Sequence, residues 1–454
     1  MLNLNNIKKV YFLGIGGIGM SALARYFKAM GAEVSGYDKT STTLTNELIH
    51  EGIPVHFDEN IALLPKNANL YIYTPAVPKN HKEYEFLIQN EFLIHKRAEV
   101  LGLITKNVFT IAVAGTHGKT TITSMIAHIL KEAEKDVFSF IGGICKNYHS
   151  NLILSKNNTI CVVEADEFDR SFLQLHPDIA VISSMDADHL DIYGNENYMI
   201  ESFSLFASQR KANGVLFLKK NLKLNDTPAN TLSYSANEKA DFFASDIKIE
   251  NGNYFYKING PDNLIFNVKS GVPGMHNVEN AVIAAAVAYN MGIQWDVIAK
   301  ALETYCGVQR RFDYRINTKD LVFIDDYAHH PEEIRACLKS VKELYPGKKI
   351  TGVFQPHLFS RTRDLADGFV ETLSLLDELI LLDIYPAREL PIEGISSKML
   401  LDKIKIKNKV LCLKENLIPL ILQKKPEVLV TMGAGDIDQL VEPIEKCLMN
   451  NLNK

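Results

Sequence analysis

Short apolar runs alternate with helical patterns along this chain. Runs at 10–14, 33–37 and 70–74 read as buried strands, with a crossover-helix pattern over 21–30 between the first two. A second series opens at 108–114, where an apolar run enters a glycine turn and then a helical pattern over 120–132. Runs at 160–164 and 179–184 continue it. A third series opens at 321–325 and continues at 349–354, 378–382 and 428–431. This alternation predicts α/β units around largely parallel sheets. Residues 221–272 are polar and rich in Asn, Lys and Ser, with an alternating piece at 254–258. They predict a small antiparallel excursion within the middle domain. The three series place boundaries near 106 and 313, giving domains 1–106, 107–313 and 314–454. A length of 454 residues suits three domains, and no solenoid-type repeat is present.

Hydrophobic residues make up 46% of the chain and charged residues 23%, the balance of a globular protein in water. The net charge of −5 gives no global reason to bind nucleic acid or an anionic membrane, although a few lysines and backbone amides still make local phosphate sites. Cys145, Cys161, Cys306, Cys337, Cys412 and Cys447 are scattered without a C-x-x-C pair, which supports neither a zinc site nor a disulfide framework. Neither a secretory leader nor a long apolar span is legible, so the expectation is a cytoplasmic protein that inserts into no membrane.

Two glycine loops carry the chemistry. Gly14, Gly16, Gly17 and Gly19 follow a predicted strand and open a helix, and Asp38 ends the next strand. Glycines let the backbone approach a pyrophosphate, which the helix N-terminus then meets with free amides. The motif alone admits a dinucleotide, another nucleotide diphosphate such as a UDP-sugar, or a tight turn with no ligand. The second loop, GTHGKTT at 115–121, lies between the apolar run 108–114 and a helix. It has the G-K-[ST] end of a phosphate loop, although Val113 replaces the first glycine of the full motif. In that geometry Lys119 neutralises phosphate charge and Thr120 offers a hydroxyl to Mg²⁺. A redox enzyme has no use for ATP at such a loop, whereas a synthetase acting on a nucleotide-carried substrate needs both loops.

Acidic and basic groups stand at the ends of further predicted strands. Glu164 ends the run at 160–164, where it suits an Mg²⁺ ligand or a solvated strand end. His189 sits among Asp186, Asp188 and Asp191. It becomes a second-metal candidate because successive strands deliver Lys119, Glu164 and His189 to one sheet edge. Asp325 and Asp326 suit ribose hydroxyls, and His329 or His330 suits substrate orientation or proton acceptance, with a structural turn as the alternative. Arg361 and Arg363 suit carboxylate or phosphate contacts, while Arg310 and Arg311 fall at the proposed hinge.

GTHGKTT at 115–121, EADE at 164–167, HNVEN at 276–280, DYAHHP at 326–331 and MGAGD at 432–436 run in order over nearly the whole chain. In these motifs the sequence resembles the Mur ligase family, the ATP-dependent amide-forming enzymes of peptidoglycan precursor synthesis. GIGGIGMS at 14–21, DADHLD at 186–191, RRFD at 310–313 and DIYPARE at 383–389 resemble the members that join L-alanine to UDP-N-acetylmuramate. The resemblance implies a Rossmann-like N-terminal domain, a central P-loop ATPase α/β domain and a Rossmann-like C-terminal domain. It also implies that Gly115, Thr116, His117, Gly118, Lys119, Thr120 and Thr121 hold the ATP phosphates. His276, Asn277 and Asn280 would lie at the adenine, and Arg310, Arg311 and Asp326 would complete the nucleotide site. Thr120 and Glu164 would hold one Mg²⁺ and His189 a second. Gly14, Gly16, Gly17, Ile18, Gly19, Met20 and Asp38 would serve the UDP-sugar, and His329 with Arg361 would face the amino acid.

One departure from the resemblance is that Leu358 and Phe359 stand where such ligases often carry arginine and tyrosine. Alternatives are a ligase that adds a preformed tripeptide to the same nucleotide sugar, a nicotinamide-dependent dehydrogenase and a non-catalytic nucleotide-binding regulator. Oligomeric state stays open.

Overall fold

The computed structural model describes residues 4–186, 196–250, 252–261, 263–387 and 389–452. Three sheets organise them. The first is wholly parallel, in the order Val55–His56, Glu33–Tyr37, Lys9–Leu13, Leu70–Tyr73, Ile94–Lys96. The order reverses between Lys9–Leu13 and Leu70–Tyr73, which opens a crevice outside their C-terminal ends. The helix between the first two strands runs Ile18–Ala29, starting before the predicted 21. Gly17 and Gly19 hide its first turn in the sequence, but the Ser21 amide already donates to Gly17 O at 2.8 Å.

The second sheet has ten strands: Ile265–Lys269, Asn253–Asn259, Phe242–Glu250, Thr231–Ser235, Val215–Lys219, Ile179–Ile182, Phe109–Ala114, Ile160–Ala165, Val137–Cys145 and Ser150–Ile153. Here the expected antiparallel excursion needs correction. Thr231–Ser235 pairs parallel with Val215–Lys219, and Phe242–Glu250 pairs parallel with Thr231–Ser235, so the polar region first extends the parallel sheet. Alternation of side chains records which face is wet and says nothing of strand direction. The third sheet runs Asp313–Asn317, Val322–Asp326, Val428–Met432, Ile350–Phe354, Glu378–Leu381, Asn408–Leu411, with only its first pairing antiparallel.

The chain divides into two compact units. One comprises Met1–Ser245, Lys257–Val268 and Glu279–Cys306, and the other Asp246–Tyr256, Lys269–Val278 and Gly307–Lys454. In the first unit one apolar core continues from Val10, Phe12 and Leu23 through Phe138, Phe140 and Cys161 to Phe203 and Leu216. Between them, the side chain of Asn151 ties the helix Ile18–Ala29 to the strand Ser150–Ile153. It donates to Ile18 O at 2.7 Å and Ser21 Oγ at 2.9 Å, and accepts from Arg25. In the second unit Phe323, Val353, Ile380, Leu429 and Ile444 build a separate core. No helix among the described residues is long and apolar enough to cross a membrane.

Candidate active site

The apolar strand Phe109–Ala114 ends in Gly115, and Lys119 opens the helix Lys119–Glu132. Gly115 has φ +135, and a Cβ there would lie 2.2 Å from Ser183 Oγ and 2.8 Å from Ser184 N, so the turn tolerates no side chain. Ser183 and Ser184, just past the strand Ile179–Ile182, brace the loop. Ser183 Oγ donates to His117 O at 2.5 Å, the His117 amide donates to Ser184 Oγ at 2.7 Å, and Ser184 Oγ meets Thr116 Oγ1 at 2.8 Å.

Lys119 Nζ donates to Gly115 O at 2.6 Å and to both carboxylate oxygens of Glu167 at 2.7 and 3.0 Å. Burial works against its charge, but Glu167, Asp166 and Glu164 outweigh it and hold its pKa above the usual lysine value. Thr120 Oγ1 donates to Glu164 Oε2 at 3.1 Å, and the Gly142 amide donates to Glu164 Oε1 at 2.5 Å. A hydroxyl and a carboxylate side by side are hard oxygen donors of the kind Mg²⁺ takes alongside phosphate and water. These residues therefore fit the ion that the motifs imply. Asn280, expected at the adenine, lies at the end of this loop, with its Oδ1 2.9 Å from where a Cβ on Gly118 would be. His189 lies outside the described residues.

In the same unit the first glycine loop turns at the end of Lys9–Leu13, with the Gly14 and Ile15 amides on Tyr37 O at 2.8 and 3.0 Å. Asp38, expected to serve a ligand, gives one carboxylate oxygen to the Gly16 amide at 2.7 Å and so braces the loop itself. Gly17 is the N-cap of Ile18–Ala29, which sets Ile18, Gly19 and Met20 in the helix's first turn. Arg97, which the motifs did not mark, packs its guanidinium against Gly19, and its Nη2 reaches Asp166 Oδ2 at 3.5 Å.

The remaining candidates lie in the second unit. Asp326 is buried and accepts from the Phe312 and Ala328 amides, both at 2.8 Å. Burial pushes its pKa up to about 6 against the pull of Arg311 and those amides. Arg310 Nε donates to Asp325 at 3.3 Å and its Nη2 to Gly433 O at 2.6 Å, while Arg310 and Arg311 both face the Tyr327 ring. Arg310 and Phe312 have φ of +60 and +47, a left-handed bend that these bonds hold in place. Asn277 spends its amide on Pro273 O at 2.6 Å.

His276 lies 3.5 Å from Ser340 Oγ, and burial, helped by Arg311, pushes its pKa down to about 4. An imidazole depressed from about 6.5 stabilises the fold fully above that pH and loses its contribution as pH falls toward 4. In urea unfolding, His276→Asn should therefore gain on the wild type by up to about 3 kcal/mol between pH 7.5 and pH 4. A difference that stays constant with pH would show that His276 is not held neutral.

His329 Nδ1 lies 3.0 Å from Tyr327 O and 3.3 Å from Glu333, and its ring meets that of His357, which stacks on Tyr385. His330 is the N-cap of Pro331–Leu344, accepting the Glu332 amide at 3.3 Å; Pro331 at the first helical position gave the local signal for this. Arg361 lies in the short helix Phe359–Asp364. Leu358, its N-cap, has φ +68.

Three domain families match in succession. Residues 9–108 match the Mur ligase family catalytic domain, 113–288 the Mur ligase middle domain and 310–435 the Mur ligase glutamate ligase domain. The chain belongs to the Mur ligase family. Among Mur ligases it is 52% identical to the UDP-N-acetylmuramate–L-alanine ligase of Flavobacterium johnsoniae, over 99% of this chain and 100% of that one. It is 54% identical to the enzyme of the same name from Flavobacterium psychrophilum, over 98% and 99%. The crystal structure of UDP-N-acetylmuramate–alanine ligase from Thermotoga maritima superposes with a TM-score of 0.84 at 28% identity, covering 98% of this chain and 99% of that one. The three-sheet α/β architecture is that of the family.

Proposed function

We propose that this Mur ligase joins L-alanine to UDP-N-acetylmuramate at the expense of ATP. The observation that carries the reading is the constellation of Lys119, Thr120 and Glu164 around a glycine loop, in a chain about half identical end to end to ligases of that name. The muramoyl carboxylate attacks the γ-phosphorus and ADP departs. The alanine amine then attacks the acyl phosphate, and phosphate leaves as the amide forms. Lys119 neutralises the transferring phosphoryl group, and the loop amides hold the neighbouring oxygens. Thr120 and Glu164 would hold Mg²⁺, which would offset repulsion between the anionic partners. His276, Asn277, Asn280, Arg310, Arg311 and Asp326 serve the rest of the nucleotide. The first glycine loop receives the UDP diphosphate on the amides from Gly17 to Met20, with the Gly16 amide held by Asp38. Arg361, with His329, receives the alanine carboxylate, for which a guanidinium fork is directional.

On this reading the domains 1–106, 107–313 and 314–454 each centre on one sheet, and the enzyme works in the cytoplasm on small molecules. Phosphate release should require ATP, Mg²⁺, UDP-N-acetylmuramate and L-alanine together. Release with a tripeptide and not with alanine would assign the chain to recycling instead, and release with no amine at all would end the ligase reading.

A further inference from the structure

We propose that Glu167 is a positioning residue that holds Lys119 by exchangeable contacts, so that a nucleotide phosphate enters by replacing a Glu167 oxygen on the ammonium. The inference rests on the ATP reading of the 115–121 loop and goes beyond it. An ammonium has three N–H donors. Those of Lys119 meet three acceptors within the protein: Gly115 O at 2.6 Å and the two Glu167 oxygens at 2.7 and 3.0 Å. A phosphate oxygen therefore gains the lysine only by taking a place one of these holds. Gly115 O cannot yield easily, because its residue is wedged against Ser183 and Ser184 in a backbone conformation that the turn requires. The Glu167 carboxylate is the partner on rotatable bonds.

The neighbouring acid does different work. Glu164 turns to Thr120 and Gly142, so one acid of the tract serves the hydroxyl and the other the ammonium. Glu167 is 2% exposed, so its charge is poorly screened by water. It consequently acts in two directions at once. It aligns Lys119 in the loop, and it opposes an incoming phosphate both as a competitor and as a like charge. Removing the charge should relieve the opposition and forfeit the alignment.

The experiment measures ADP binding by calorimetry in EDTA, so that no divalent cation contributes, together with steady-state kinetics on the full chain. Glu167→Gln keeps the shape and loses the charge. It should bind ADP roughly ten-fold more tightly, with a lower KM for ATP and a kcat reduced by a comparable factor. Glu167→Asp keeps the charge but is one methylene too short to hold both contacts. It should shift both values the same way by less, and it decides the matter if the glutamine variant does not fold. Loss of a merely structural group would weaken ADP binding, not strengthen it. Unchanged or weaker ADP binding in a folded variant overturns the proposal. A wild-type protein that binds no ADP removes the nucleotide reading, and this inference with it.

Discussion

Lys119→Ala should lower ligation by about 10³-fold or more while the protein stays folded. Among the described residues, the ammonium's hydrogen bonds run to Gly115 O and Glu167. Alanine at the first position of the helix Lys119–Glu132 is a good helix former, so local structure loses nothing. The substitution does leave the buried Glu167 carboxylate without its lysine, a cost that appears in stability and not in turnover. Phosphate-release rates beside thermal unfolding separate the two. A variant that turns over at near-normal rate would remove the phosphate-loop assignment.

Gly142→Ala should cost on the order of 10²-fold in turnover with almost no loss of stability. A Cβ on Gly142 would lie 2.5 and 2.8 Å from the two carboxylate oxygens of Glu164, which must move. The clash is with the mobile end of a side chain, so the strand Val137–Cys145 need not shift. Glu164 leaves Thr120, and the oxygen pair proposed for Mg²⁺ is broken. The magnesium concentration for half-maximal activity should rise in parallel. An unchanged magnesium titration would place Glu164 outside the metal site.

Gly142 and Lys119 differ in how they could be found. Lys119 is legible because strand, turn and helix follow one another within a few residues, and the chemistry is local to that run. Glu164 could be suspected, since it ends an apolar run. Its service to Thr120 depends on parallel registers that pair Val113 with Glu164 and Ala114 with Ala165. No local pattern encodes those registers, nor the neighbouring strand that brings Gly142 onto the same carboxylate. Ser183 and Ser184, Arg97 and the role of Glu167 were hidden for the same reason. Asp38 was legible from its place in the chain, but the bond of its carboxylate to the Gly16 amide was not. The excursion at 221–272 was visible as strands, but their direction was not, because side-chain alternation is the same for parallel and antiparallel pairing.

The continuous core of the first unit bears on how such an enzyme can diversify. Tyr26 of the helix Ile18–Ala29 stacks with Phe138 and meets Phe140, both on Val137–Cys145, and Arg25 and Ser21 close on Asn151. The first hundred residues are therefore not a detachable cassette. Recombination that brought in a foreign N-terminal segment would have to match these aromatic contacts and the Asn151 bonds, or leave apolar surface wet and polar groups orphaned. On the proposed assignment of the first glycine loop, a new nucleotide-sugar preference is more accessible by point substitution around that loop than by exchange of the module that carries it.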